Sequence, residues 1–278
     1  MREDPAPLPL PLSPRAPAGA GPSSLRIGTS GFSYADWRGP FYPARLPDRQ
    51  MLDYYAERFR AVEINSTYYR IPPASTFASL ARRAEGRLEF TVKTHQDLTH
   101  HRDRYAGAAP VFRAALAPLR EAGVLGCVLA QFPSAFRAGP DAREFLRRLA
   151  GDLAPDPLAV EFRHASWITE ETFAWLREQG IGFCAVDTPR LPGLPPPVVA
   201  VTAPVGYVRF HGRNAGTWRS GTAATRYDYL YTEDELREWA PRVRAVAADA
   251  ERAYVFFNNH VRGQAVLNAR MLADLLRG

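Results

Sequence analysis

The chain has 278 residues, 46% of them hydrophobic and 23% charged, with a formal net charge of +6. That composition suits a globular protein of one large α/β domain or two smaller ones, and no apolar run nears the roughly 18 residues of a membrane span. The basic excess is scattered over helix faces such as "ARRAEGR" and "REFLRRLAGD", so it favours anionic partners in general and lends nucleic-acid binding only modest support.

Residues 1–24, "MREDPAPLPLPLSPRAPAGAGPSS", place acids beside Met1 and prolines throughout their only apolar part. They lack the apolar core of a secretory signal and read as a disordered Pro/Ala-rich tail. The two cysteines, Cys127 and Cys184, fall in separate strand-like runs, which predicts free thiols and a cytoplasmic setting.

From Leu25 onward, β-branched or aromatic runs alternate with segments of helical period. The strand candidates are "LRIGTSG" from Leu25, "AVEINST" from Ala61, "LEFTVKTH" from Leu88 and "LGCVLAQFP" from Leu125. They continue with "LAVEFRH" from Leu158, "GFCAVDTP" from Gly182, "GYVRFHGR" from Gly206 and "AYVFFNNH" from Ala253. Helices are expected near 47–60, 74–86, 110–123, 140–151, 168–180, 233–250 and 264–277. Repeats of this kind over residues 25–278 predict a single-domain α/β fold, the (β/α)8 TIM barrel. An open doubly wound sheet would show a Gly-rich phosphate turn after its first strand, and "GTSGFSY" lacks the full fingerprint.

Alternate strand residues face opposite sides. Val62 and Ile64 oppose Glu63 and Asn65; Phe90 and Val92 oppose Thr91, Lys93 and His95. Val160 and Phe162 oppose Glu161 and Arg163; Val208 and Phe210 oppose Arg209 and His211. With the apolar face against the helices, the polar face points into the barrel, and the same count places Gln131, Asp187 and Asn258 inside. Charged groups are seldom buried unless paired, so such a collar reads either as a closed ion network or as a reactive site at the barrel mouth. Lys93 stands out within it. It is the only lysine, against 34 arginines, and its compact ammonium titrates on burial where a guanidinium does not.

The loops beyond the strands add aromatics. "GFSYADWRGPFYP" brings Tyr34 and Trp37, "STYYRIPP" brings Tyr68, and the long stretch after the seventh strand brings Trp218, Tyr227, Tyr229 and Tyr231. Such loops over a polar floor suit a sugar-like or planar substrate, although packing among the loops accounts for some of them. Gly212, Arg213, Asn258, Asn259 and His260 are candidates for an anion cradle.

As an ordered set, "IGTSGFSYADWRGPFYP", "VEINSTYYRIP", "FTVKTHQDLTH", "QFPSAF", "VEFRHASW", "YVRFHGR" with "RYDYLYTEDEL", and "VFFNNHVRGQAVLNA" resemble the domain of unknown function 72 family (the YecE-like proteins). The resemblance spans roughly residues 25–275. It implies a (β/α)8 barrel with a polar pocket at the strand ends, and it brings no catalytic assignment.

The first functional expectation is therefore an enzyme using acid–base chemistry on a small anionic or sugar-like substrate. Glu63, Lys93, Glu161, Asp187 and His211 are its catalytic candidates. Tyr34, Trp37, Asn65, Tyr68, His95, Gln131, Arg163, Arg209, Arg213, Asn258 and Asn259 are its binding candidates. No cofactor is expected. The alternative is a metal-dependent phosphodiesterase or nuclease acting on nucleic acid, with Glu161, Asp187 and His211 around Mg2+, Mn2+ or Zn2+. A barrel that binds a ligand without changing it is the third reading, and no membrane partner is expected.

Overall fold

The structure, a computed structural model, describes residues 24–278. The expected tail over residues 1–24 lies, but for Ser24, outside the described residues. Eight parallel strands close into a barrel in chain order: β1 (Leu25–Ser30), β2 (Ala61–Ile64), β3 (Glu89–Lys93), β4 (Leu125–Gln131), β5 (Leu158–Glu161), β6 (Gly182–Asp187), β7 (Val205–Phe210) and β8 (Arg252–Phe257). The helices are α1 (Met51–Ala56), α2 (Ala74–Ala84), α3 (Tyr105–Ala115), α4 (Ala117–Glu121), α5 (Pro140–Leu153), α6 (Glu170–Glu178), α7 (Ala223–Arg226), α8 (Glu233–Asp249) and α9 (Gln264–Arg277). This is the predicted (β/α)8 barrel. The expected helix over 110–123 is two helices, α3 and α4, that meet at Leu116. β6 is followed by the proline-rich segment 188–204, which joins it to β7 without a helix.

Local chemistry sets the ends of these elements. Pro140 opens α5 at its first turn, where a missing N–H costs nothing. Thr232 and Glu235 cap α8 reciprocally, each side chain bonding the other residue's backbone N–H. Thr169 accepts from the Thr172 N–H to start α6.

Two buried layers follow from strand parity. Outside the barrel, Val62, Phe90, Val92, Val160, Val208, Phe210 and Phe257 pack against helix residues such as Phe112, Leu149 and Trp239. Inside, Ala61, Cys127, Leu129, Ala159, Cys184, Val186, Tyr207, Tyr254 and Phe256 fill the lower barrel. Gly126 makes room for Tyr254 there, since a Cβ would sit 2.0 Å from its Oη. Glu89 plugs the N-terminal end, accepting from Tyr254 Oη at 2.5 Å and Arg26 Nε at 3.1 Å. Both cysteines are free and buried in this interior, and burial raises both thiols above their ordinary range. They are inert packing groups. The apolar interior layer separates the Glu89 cluster from the polar groups at the C-terminal mouth. Among the described residues, no helix is long and apolar enough to cross a membrane.

Candidate active site

Adjacent strands in register bring the polar residues together: Ser30 pairs with Glu63, Glu63 with Thr91, and Gln131 with Glu161. Arg209 rises through their centre, 1% exposed. Its guanidinium donates to Glu63 Oε1 at 2.7 Å and to Glu161 Oε2. The second oxygen of Glu63 accepts from Tyr207 Oη at 2.7 Å, and Tyr207 in turn contacts Thr91 Oγ1 at 2.8 Å. The other oxygen of Glu161 lies 2.5 Å from Arg163 Nε and 3.2 Å from His211 Nε2. Asn258 Nδ2 approaches His211 Nδ1 at 3.1 Å. A neutral imidazole with its proton on Nε2 accepts from Asn258 and donates to Glu161, and the 3.3 Å approach of the Arg163 guanidinium to Nε2 is then no hydrogen bond.

The electrostatics agree with that assignment. Burial pushes His211 down to about 3, against the pull of Glu161. Burial alone would raise Glu161, but Arg163, Arg209 and His211 overcome it and hold the carboxyl well below its usual range. For Arg209 burial again opposes the charge, and Glu63 with Glu161 keep the guanidinium firmly protonated. Glu63, Glu161, Arg209 and His211 thus form a fixed charge network.

Above this network lies a cavity of about 840 Å³. Lys93, Gln131, Arg209, Asn65 and Asn258 contribute its polar floor, and Tyr34, Tyr68, Tyr69, Tyr227, His100 and His260 its walls. Lys93 ends β3, where Thr67 Oγ1 donates to its carbonyl at 2.6 Å. Its Nζ donates to Gln131 Oε1 at 2.8 Å and stands 4.3 Å from the centre of the Tyr68 ring. Burial, reinforced by the neighbouring Arg209 and Arg163 charges and only partly offset by Glu161 and Glu63, lowers this amine to about 7. Arg209 Nε and Asn65 Oδ1 are buried without a hydrogen-bond partner among the described residues.

Several predicted residues do not reach the cavity. Asp187 faces the helices, opposite to the expected parity. It accepts from Trp239 Nε1 at 2.6 Å, from Tyr231 Oη at 2.7 Å, and from Arg213 Nε and NH2, each at 2.9 Å. Arg213 is engaged by Asp187, Glu235 and Glu238, away from the cavity. Asn259 bonds the Tyr229 carbonyl and Asn268 behind β8. Trp37 is fully buried and braces the loop after β8 through the His260 carbonyl at 2.6 Å. His95 turns to cap the next short helix by accepting from the Asp97 N–H. Glu63, Glu161 and His211 face inward as expected, but each is fully buried beneath the floor. Of the five catalytic candidates, Lys93 is the one that lines the cavity.

The alternative metal set is not assembled. Asp187 lies across the sheet from Glu161 and His211, and cations already occupy both oxygens of Glu161. Among the described residues no three His, Cys, Asp or Glu side chains converge to hold a metal ion.

Sequence reasoning missed His100, Arg226 and Tyr69 in the walls. It also missed Tyr207, which shares strand parity with Arg209 and was therefore legible. His100 meets Tyr68 edge to face at 5.1 Å, and burial lowers it to about 4. Tyr34 lies flat on His260 with centroids 4.6 Å apart.

The model for "Protein of unknown function DUF72" matches residues 26–278. A DUF72 protein from Thermotoga maritima MSB8 is 40% identical, with a TM-score of 0.84 over 91% of this chain and 99% of its own. One from Enterococcus faecalis V583 is 27% identical, with a TM-score of 0.81 over 91% and 96%. The UPF0759 protein YunF of Bacillus subtilis (strain 168) is 28% identical over 269 residues, covering 91% of this chain and 94% of its own length.

Proposed function

The chain belongs to the DUF72 family, and from the cavity at its barrel mouth we propose that it is a proton-transfer enzyme acting on a small anionic or sugar-like substrate. Lys93 is the acid–base group. The observation that carries this reading is its pairing: a sole lysine bonded to a neutral amide, lowered to about 7. A group titrating near neutral pH is populated in both protonation states, which is what general acid–base catalysis requires.

The step follows from the surroundings. The neutral amine of Lys93 takes a proton from a C–H or O–H of the substrate and becomes an ammonium, which Gln131 Oε1 stabilises by accepting a hydrogen bond. The electron pair left on the substrate develops as negative charge on oxygen, and the positive charge of Arg209 close beneath the floor favours it. Lys93 then returns the proton to a different position or to a departing group. Glu63 and Glu161 hold Arg209 in place, and Tyr68 and Tyr227 offer aromatic surface to a ring.

Solvent deuterium tests it. Incubation in D2O with a panel of sugar phosphates, hydroxy acids and keto acids, followed by proton NMR, should show deuterium entering one compound with wild type and none with Lys93→Met. A ligand that binds and returns unlabelled and unchanged would make this a binding protein instead.

A further inference from the structure

Beside the main cavity lies a second cleft of about 570 Å³, lined by Arg137, Arg163, His164, Arg219 and Arg226 and by no acidic residue. Gln131, Arg226 and Tyr227 line both spaces, so the cleft adjoins the cavity at these residues. The cleft lies among the loops after β4, β5, β6 and β7.

Three of the cleft's arginines have no acid beside them among the described residues. Elsewhere some exposed arginines of this chain find an acid, as Arg147 finds Glu144, Arg237 finds Glu233 and Arg277 finds Asp274. Among the described residues, Arg137, Arg219 and Arg226 make no ion pair. Arg219 donates to the Pro192 carbonyl and Arg226 to the Gly221 carbonyl, bonds that aim the side chains without neutralising them. Arg226 Nε is buried without a partner. Arg163 is anchored from below by Glu161 and roofed by Trp218, whose ring centre is 5.5 Å from its guanidinium. Like charges gathered without a counter-charge repel, and planar forks of this kind match the oxygens of a phosphate.

We propose that this cleft is the phosphate subsite of the substrate, which is then a phosphomonoester of a ring or sugar. The phosphate lies among Arg137, Arg219 and Arg226, and the ring crosses Tyr227 into the cavity over Lys93. The ring's placement rests on the proton-transfer reading, whereas the phosphate subsite does not.

Inorganic pyrophosphate is the probe, followed by 31P line broadening and titration calorimetry. Wild type should bind it saturably, and Arg219→Ala and Arg137→Ala should each weaken it about tenfold. Arg244→Ala removes the same charge from a helix surface outside the cleft and should leave binding within twofold. Lys93→Met should do likewise, so loss of deuterium exchange with intact pyrophosphate binding would separate the two readings. Absence of saturable binding, or an equal loss in Arg244→Ala, would overturn the subsite. Tighter binding of a single-stranded oligonucleotide than of pyrophosphate would overturn the small-molecule assignment.

Discussion

The Nζ of Lys93 lies 2.8 Å from Oε1 of Gln131, a neutral acceptor in a position where an acid would make an ion pair. The amide satisfies a hydrogen bond without stabilising the charge, so burial and the nearby guanidiniums decide the protonation state. Gln131→Glu replaces that acceptor with a counter-ion. It should raise Lys93 by about 1–3 units and cut the proton-transfer rate at neutral pH at least tenfold. The measurement is direct, because reductive 13C-methylation of a chain with one lysine gives a single side-chain resonance to follow against pH. A resonance midpoint near 10 in the wild type would remove the basis of the proposed chemistry.

Lys93 should also lower stability where it is useful. Its amine titrates near 10.5 when unfolded and about 7 when folded. As pH falls between those values the unfolded chain takes up a proton that the folded chain refuses, so stability declines through this window and levels off below 7. Lys93→Met should therefore stabilise the protein at pH 7 by roughly 2 kcal/mol, allowing for solvent that reaches the amine from the cavity. At about 2–4 °C per kcal/mol, calorimetry should show a clear rise in Tm at pH 7 that shrinks toward pH 10.

The buried imidazoles act at the other end of the scale. His211 is pushed down to about 3 and His100 to about 4, from 6.5 in the unfolded chain. Below pH 6.5 the unfolded state binds protons that neither folded imidazole accepts, so stability falls by up to about 1.4 kcal/mol per pH unit for each. Glu161, depressed in the folded state, adds to the loss as pH drops below 4.5. Urea unfolding at pH 7, 6 and 5 should show this decline, and His211→Gln should remove about half of its slope. A stability independent of pH across that range would mean that these rings are solvated.

Strand parity was legible where one face was plainly apolar. In β2, β3, β5 and β7 the alternation around Glu63, Lys93, Glu161 and Arg209 placed each residue on its observed side of the sheet. It failed in β6, where Cys184 and Val186 oppose Ala185 and Asp187 and both faces are apolar. There the rule that polar groups face inward chose wrongly, because the deciding partner, Trp239, lies 52 residues further along the chain. Parity also gives a side but not a depth. Glu63, Glu161 and His211 share the inward face with Lys93, yet only the packing around Arg209 shows that they lie beneath the floor. The loops were the least legible part. Trp37 looked like a substrate contact and is a brace, while Arg226 carried no local signal that distinguished it from the chain's other arginines.

Asp187 provides the contrast that checks this division between site and scaffold. Its carboxylate is buried, with Trp239, Tyr231 and Arg213 filling its hydrogen-bonding positions. Removing the charge leaves the Arg213 guanidinium facing a neutral amide and forces one donor onto a nitrogen that cannot accept. Asp187→Asn should therefore destabilise the fold by about 3 kcal/mol. The Lys93 resonance, reporting from the far side of the sheet, should keep its midpoint to within a few tenths of a pH unit, and deuterium exchange below the melting transition should persist. If the substitution instead abolished exchange at full stability, Asp187 would belong to the reaction despite its orientation, and the cavity floor would have been drawn around the wrong carboxylates.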